Sequence, residues 1–252
     1  VNEYISLTNK LPLNFIELGY WKQKNKSENK FYNLNLRIVE KYKKKSNKKI
    51  SVMSDFHYST KNIYDFPQKK HGIVSLIRVT SRLEDFKDSV KFINQLKDFS
   101  KLKISLNIFN FSNYNNNEIV KICNYLKKHC YSDFLYFADT HGNLDFNTNN
   151  KKRNVIFKNV AKLKQNIGFH FHDNIGRAFS NYVYCKNNNY HLFDSTILGI
   201  GRGGGNLRTE QIISKNYNLI SEFINRYKKE LYVEENIYCF VTGKLGVSNL
   251  YA

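Results

Sequence analysis

Short apolar runs alternate along this chain with stretches whose apolar residues recur at helical spacing. The runs are mostly continuous rather than alternating with polar residues, which is typical of parallel strands buried on both faces. They predict strands at 15–19, 50–53, 73–79, 102–109, 134–138, 167–171 and 190–193. Helices are predicted between them at 83–99, 118–128, 155–165, 178–185 and 209–229. Strands that alternate with helices in this way indicate an α/β fold with a parallel sheet.

Polar side chains of catalytic types stand near the ends of several predicted strands. They are Glu17, Asp55, Asp139, His172 and Asp194. A β/α barrel builds its site at the carboxyl ends of its strands, and so does an open doubly wound sheet. The strand pattern alone therefore leaves both architectures open. The chain of 252 residues suits one domain, without an evident repeat or linker.

Two histidines, His170 and His172, stand two positions apart at the end of the apolar run 167–171. Side chains two apart on a strand point to the same face, so both imidazoles should enter one space. Imidazole is the commonest protein metal ligand, and two convergent rings supply half of a tetrahedral set. The alternative is a pair of buried, hydrogen-bonded histidines. Because Asp173, Asn174 and Gly176 follow at once, the pattern favours a metal site.

The loop Leu198–Asn206 is rich in glycine and contains a formal G-x-G-x-x-G at Gly199, Gly201 and Gly204. A dinucleotide-binding fingerprint also needs a following strand with an acidic residue about 20 positions on. Here the next acidic residues lie in or at the end of the predicted helix 209–229. We therefore expect the glycines to let the backbone approach a ligand or a metal, with Asn206 as a candidate oxygen ligand.

Two carboxylates are candidates for acid–base chemistry. Asp139 begins the sequence Asp139-Thr140-His141-Gly142 at a strand end, where it could act on a proton while Thr140 binds a substrate carboxylate. A turn that Asp139 caps is an equal alternative. Glu17 lies within an apolar strand, and a buried carboxylate requires either a function or a basic partner. Both interpretations of Glu17 stay open.

The formal net charge of +19 raises the question of a nucleic-acid partner. Lysine far outnumbers arginine, and runs such as 43–49 mix Lys with Asn, which is typical of a solvated surface rather than a binding face. No apolar run approaches the roughly 20 residues of a membrane helix, and no signal peptide opens the sequence. We expect a cytoplasmic protein that binds neither a membrane nor nucleic acid, with its four cysteines reduced.

Gly168–Ala178 and Asp194–Asn206 together resemble the metal-dependent superfamily of pyruvate aldolases and acyltransferases. Its members include 4-hydroxy-2-oxovalerate aldolase, hydroxymethylglutaryl-CoA lyase and 2-isopropylmalate synthase. The resemblance extends to Phe15–Gly19, Ala138–Gly142 and Thr242–Gly246, and so covers nearly the whole chain in the family's order.

This resemblance implies a TIM (β/α)8 barrel over residues 1–252 that binds one divalent cation. It implies His170, His172 and Asn206 as metal ligands, Glu17 and Asp139 as catalytic residues, and Thr140 as a substrate-binding residue. The family's first strand carries an Arg-Asp motif, and no Arg-Asp pair occurs in this sequence. We therefore expect a barrel that lacks its first strand, as a fragment of a longer protein would.

The implied activity is a lyase that cleaves a 4-hydroxy-2-oxo acid to pyruvate and an aldehyde. Mixed nitrogen and oxygen ligation suits Mn²⁺, Mg²⁺ or Zn²⁺, and we take Mn²⁺ as the leading candidate. A Claisen-type acyltransferase that condenses acyl-CoA with a 2-oxo acid is the alternative within the family. A basic RNA-binding protein is the alternative without catalysis. The expected partner is a small 2-oxo acid, and a homo-oligomer is compatible with the sequence.

Overall fold

The computed structural model of this protein describes residues 1–22, 29–213, 215–231 and 237–247. The strands are β1 (Phe15–Tyr20), β2 (Lys49–Asp55), β3 (Leu76–Ser81), β4 (Lys103–Ile108), β5 (Phe134–Asp139), β6 (Asn166–Phe171) and β7 (Leu192–Phe193). The helices are α1 (Asn2–Lys10), α2 (Leu36–Lys43), α3 (Phe86–Ser100), α4 (Asn116–His129), α5 (Asn150–Val160), α6 (Ala178–Asn187), α7 (Thr209–Ile212), α8 (Tyr217–Tyr227) and α9 (Ile237–Leu245).

The strands form one sheet in the order β1-β2-β3-β4-β5-β6-β7, so that neighbours in the chain are neighbours in the sheet. The pairs β1–β2, β2–β3, β3–β4 and β6–β7 are parallel. Each parallel connection needs a crossover, and a helix supplies one between most consecutive strands. This is the strand order of a TIM barrel. The predicted α/β TIM-like fold lacking one strand is confirmed.

The chain divides into two compact units. The first unit comprises 1–108 and 129–135, and the second comprises 109–128 and 136–252. The prediction that residues 1–252 make one domain stays a prediction.

In the first unit the two faces of the sheet differ in polarity. Ile50, Val52, Ile77, Val79 and Ile104 are fully buried on one face. Residues paired across parallel strands share a face, so the registers Glu17↔Ser51, Met53↔Arg78↔Ser105 and Asp55↔Thr80↔Asn107 define the other. That second face is therefore mainly polar, although its side chains are largely buried.

The chain's single tryptophan belongs to the first unit. Trp21 is 2% exposed, and its indole N–H donates to the main-chain oxygen of Asp65 at 3.0 Å. The same Asp65 receives hydrogen bonds on its carboxylate from Lys22 at 3.2 Å and Thr60 at 2.8 Å. A buried indole with a satisfied N–H is a well-fixed anchor for the segment that follows β1.

The core of the second unit is aromatic. Phe169 and Phe171 of β6 are stacked, with ring centroids 5.6 Å apart, and both are buried. Phe146 makes edge contacts with both rings, and Phe157 of α5 adds a contact to Phe169. Aromatic side chains bury a large apolar area each, and their edge-to-face contacts add to it. This cluster fixes one face of β6.

Several predicted elements have different bounds in the structure, and three of them differ most clearly. The helix predicted over 155–165 instead begins at Asn150 and ends at Val160. The side chain of the preceding Asn149 caps it by accepting from the Lys152 N–H at 3.1 Å. The strand predicted from Tyr190 is confined to Leu192–Phe193. The prediction of one long helix over 209–229 is wrong.

That helix is interrupted between α7 and α8. Ile213 has an extended backbone (φ −103°, ψ 116°), and Asn216 has a left-handed one (φ 63°). A β-branched residue favours the extended state, and asparagine tolerates positive φ better than most residues, so this sequence permits the interruption. Ser214, between them, lies outside the described residues. No helix in the described ranges has the length and apolar character needed to cross a membrane.

Candidate metal and substrate site

Strand β6 places its two histidines by the alternation of its side chains. Phe169 and Phe171 face the aromatic core, so His170 and His172 project to the opposite side. Their ring centroids are 5.0 Å apart, with the planes inclined at 72°. The two imidazoles therefore converge, as the sequence predicted.

Each imidazole is held through its Nδ1 atom. His170 Nδ1 lies 3.1 Å from Oδ2 of Asp194, and His172 Nδ1 lies 3.2 Å from the main-chain oxygen of Arg202. Both partners are acceptors, so a neutral ring at either position would carry its proton on Nδ1. The Nε2 atom of each neutral ring then carries a lone pair. A carboxylate or a carbonyl behind Nδ1 is the usual support of a histidine that binds a metal through Nε2.

The environment of His172 favours the neutral, metal-binding form. Burial, together with the neighbouring His170, lowers the pKa of His172 to about 3, against the opposing effect of its hydrogen bond to Arg202. A protonated imidazole cannot ligate, so a histidine that stays neutral is ready to bind a cation without first losing a proton.

Asn206 lies beside His172, because the two residues form an isolated antiparallel bridge. Its side-chain Nδ2 donates to the main-chain oxygen of Ile200 at 3.0 Å, whereas its Oδ1 is buried without a hydrogen-bond partner. A buried amide oxygen without a partner is costly, and a bound cation would satisfy it.

The glycines of the loop permit this arrangement. A Cβ atom on Gly201 would lie 2.7 Å from Cγ and 3.0 Å from Oδ1 of Asn206. Gly199 has φ +68°, and its N–H and carbonyl belong to the turn that leads back to Asn206, whose N–H donates to Gly199 O at 2.7 Å. The loop thus approaches the Asn206 amide closely, and the predicted approach of its backbone to a ligand or a metal stays a prediction.

Asp139 ends β5 and is 1% exposed. Its Oδ1 accepts the main-chain N–H of Asn143 and its Oδ2 accepts that of Leu144, each at 3.0 Å. Burial raises the pKa of Asp139 to about 6, although these N–H groups act in the opposite direction. Asp139 therefore caps the turn that follows β5, and it also holds a proton more readily than an ordinary aspartate. Its catalytic role stays a prediction.

Thr140 follows Asp139 and is partly exposed. Its Oγ1 accepts the main-chain N–H of Asn110 at 2.9 Å. A hydroxyl has one hydrogen to donate besides its two lone pairs, so this contact orients Thr140 and leaves its O–H able to donate to a substrate oxygen.

Glu17 belongs to the first unit and pairs there with an arginine. Its Oε2 lies 2.9 Å from NH1 of Arg78, whose side chain is 7% exposed, against 31% for Glu17. The basic partner that the sequence required as one alternative is present, 61 residues away along the chain. The second unit brings together His170, His172 and Asn206, whereas a catalytic role for Glu17 stays a prediction.

Sequence reasoning missed one contact and one residue near these groups. Asp194, which stands directly after β7, was named among the polar residues at strand ends, but the pattern gave no sign that it would face His170. Lys152 of α5 is half-buried, and it donates through Nζ to the main-chain oxygen of Ser112. Burial lowers the pKa of Lys152, while the charges of Asp139 and Glu118 act to raise it. Lys152 stands among basic residues in the sequence, so nothing distinguished it there.

The donors fit a divalent cation in part. The described part of the chain has no group of three or more His, Cys, Asp or Glu side chains placed to hold a metal ion. The set is instead two imidazoles with their Nε2 lone pairs and the unpartnered Oδ1 of Asn206. Three mixed nitrogen and oxygen donors would leave coordination positions for substrate, as catalytic metal sites require.

Comparison with known proteins gives two kinds of match. A sequence model of the family described as HMGL-like matches residues 53–220. Among solved structures, the N-terminal domain of a "putative aldolase" from Bacteroides vulgatus has a TM-score of 0.77 at 20% identity, covering 98% of this chain and 86% of that one.

Carboxyl transferase domains of Rhizobium etli pyruvate carboxylase are also similar. One, the Y628A variant with pyruvate, has a TM-score of 0.57 at 12% identity, and this chain covers 37% of it. Another, with pyruvate and biocytin, has a TM-score of 0.60 at 12% identity, and the chain covers 41% of it. At such identities the likeness concerns the fold. No curated protein matches the sequence.

Proposed function

This chain belongs to the HMGL-like family, and we propose that it provides the catalytic barrel of a divalent-metal-dependent aldolase. The reaction would cleave a 4-hydroxy-2-oxo acid to pyruvate and an aldehyde. The observation that carries the proposal is the convergence of His170 and His172 beside the unpartnered oxygen of Asn206. Hydrogen bonds at Nδ1 of both rings support ligation through Nε2.

The residues would hold Mn²⁺ in the first instance, or Mg²⁺ or Zn²⁺, through two imidazole nitrogens and one amide oxygen. When bound, the cation supplies Lewis-acid polarisation of the 2-oxo group. The hydroxyl of Thr140, fixed by the Asn110 N–H, donates to the substrate carboxylate. Asp139, with a pKa of about 6, exchanges a proton at its carboxylate near neutral pH, where such a pKa is most effective in general acid–base catalysis.

The test is pyruvate release by the full natural protein that contains this chain. A series of 4-hydroxy-2-oxo acids would be supplied with Mn²⁺, Mg²⁺ or Zn²⁺, and pyruvate would be followed by a coupled lactate dehydrogenase assay. We expect release with at least one acid, and a loss of at least about 100-fold in rate in His172→Ala, because removing a ligand exceeds the usual effect of an outer-sphere change.

A matched control is His57→Ala, which removes the exposed imidazole that pairs with Asp85 in the first unit and should leave the rate unchanged. Absence of pyruvate with every acid and every metal would refute the aldolase proposal. Thiol release from acetyl-CoA on addition of a 2-oxo acid would instead identify the Claisen-type reaction.

A further inference from the structure

Asp194 faces the imidazole of His170 from outside the proposed ligand set. We propose that Asp194 is a positioning residue, which fixes the proton of His170 on Nδ1 and thereby directs the Nε2 lone pair at the cation. The inference rests on the proposed metal site. It concerns the affinity of that site for the metal, which is measurable without any knowledge of the substrate.

The main chain holds Asp194 in place on both sides. Strand β7 pairs in register with β6, with Gly168↔Leu192 and Phe169↔Phe193, and the N–H of Asp194 then donates to Phe169 O at 3.2 Å. On the far side, the N–H of Thr196 donates to Leu207 O at 3.0 Å. The carboxylate is thus carried by backbone that is bonded to the strand bearing His170, so it is pre-organised for this contact.

The hydrogen bond between His170 and Asp194 is also partly shielded from solvent. The side chain of His170 is 23% exposed and that of Asp194 is 20% exposed, with 3.1 Å between Nδ1 and Oδ2. A partly buried hydrogen bond to a charged acceptor is stronger than one to a neutral acceptor. His172 has only the carbonyl of Arg202 at the equivalent atom. The two ligands therefore differ in their support, and His170 is the one that should depend on a single replaceable side chain.

The first unit contains a pair with the same chemistry and a different setting. His57 Nδ1 also lies 3.1 Å from a carboxylate oxygen, Oδ2 of Asp85, with the two side chains 49% and 25% exposed. This pair has no place in the proposed ligand set. Removing its carboxylate is therefore a matched control for removing that of Asp194.

The experiment measures Mn²⁺ binding by the full natural protein through the electron paramagnetic resonance signal of free Mn²⁺, at one fixed pH. The variants are Asp194→Ala, Asp194→Asn and the control Asp85→Asn. We expect Asp194→Ala to raise the Kd for Mn²⁺ about 10- to 100-fold, the usual effect of losing such a support. Asp194→Asn should restore part of the affinity, because its amide oxygen still accepts from Nδ1. Asp85→Asn should bind as the wild type does.

Partial recovery of the Mn²⁺ affinity in Asp194→Asn distinguishes a positioning role from a general loss of structure. A general loss of structure would not depend on whether the side chain at position 194 offers an acceptor to Nδ1 of His170. The Tm of each variant without metal is measured beside it. If Asp194→Ala does not fold, the Kd values of Asp194→Asn and Asp194→Ser decide. An unchanged Kd for Mn²⁺ in both of these variants, when folded, refutes the inference. Wild-type affinity in Asp194→Ala refutes it directly and leaves the metal site standing. If the wild type binds none of Mn²⁺, Mg²⁺ and Zn²⁺, the metal site and the inference are overturned together.

Discussion

Two carboxylates of the first unit and one of the second are neutralised in different ways. In the first unit Glu17 pairs with Arg78, and Asp55 makes a bidentate pair with Arg82 at 3.0 and 3.1 Å. In the second unit the carboxylate of Asp139 receives main-chain N–H groups. An arginine cancels a full charge, whereas an amide N–H offers only a partial one.

This difference separates two uses of a polar strand face. In the first unit Glu17 and Asp55 are paired with arginines of the same unit, which favours a structural use of its polar face. The second unit contains a carboxylate with a raised pKa, that of Asp139, and an imidazole with a lowered pKa, that of His172. It also contains the amide oxygen of Asn206, which has no hydrogen-bond partner. Groups of that kind cluster where a protein binds or transforms a ligand.

The comparison is tested most strongly by the pH dependence of stability in the metal-free protein. Folded Asp139, with a pKa of about 6 against 3.8 for the unperturbed group, keeps its proton while the unfolded chain loses it. The free energy of unfolding should therefore fall by about 2 to 3 kcal/mol as the pH rises from about 4 to about 6. Urea unfolding of the wild type and of Asp139→Asn measures this as the difference between them.

His172 provides a control of opposite sign. Its folded pKa of about 3 lies below the unperturbed 6.5, so its contribution is complete above pH 6.5 and is lost as the pH falls. The difference between wild type and His172→Gln should accordingly rise with pH over this range. If both differences are flat with pH, the pKa values of Asp139 and His172 are not perturbed in the folded protein, and the comparison between the two units fails.

A smaller effect is expected from the arginine pair of the first unit. Arg78→Met leaves the charge of Glu17 without this partner and should cost about 2 kcal/mol of unfolding free energy, less than a fully buried pair because Glu17 is 31% exposed. Chemical denaturation at neutral pH measures it.

The double variant Glu17→Gln with Arg78→Met should recover much of that loss, and neither change should alter Mn²⁺ affinity. A loss of Mn²⁺ binding in Arg78→Met would show that the paired charges also serve the metal site, which contradicts a purely structural use.

The smallest effect is expected at Gly201. The methyl group of Gly201→Ala would lie about 3 Å or less from the side chain of Asn206 and displace it. The displaced atoms are the end of a side chain, so stability should change little, while the Kd for Mn²⁺ should rise about tenfold. In an Asn206→Ala background the same substitution should have no further effect, and an additive effect there would exclude Asn206 as its target.

Much of the fold could be predicted because its signals are local. The apolar run 167–171 and the spacing of His170 and His172 are read within one strand, and the alternation of strands and helices gave the α/β class. The parts that the sequence left open or missed depend on residues distant in sequence. Arg78 lies 61 positions from Glu17, and Asp194 lies 24 from His170. The break before α8 depends on the backbone states of Ile213 and Asn216, which helical periodicity does not reveal.

The burial of Trp21 has an optical consequence. Since the sequence contains no other tryptophan, the indole emission of this protein originates wholly in the first unit, whose Asp65 carbonyl accepts the indole hydrogen bond. The aromatic core of the second unit is built from phenylalanine and tyrosine. These side chains do not fluoresce when excitation is confined to the red edge of indole absorption. One denaturation can therefore be followed by two signals, the near-ultraviolet circular dichroism of the tyrosines and the fluorescence of the indole, which reports on the first unit.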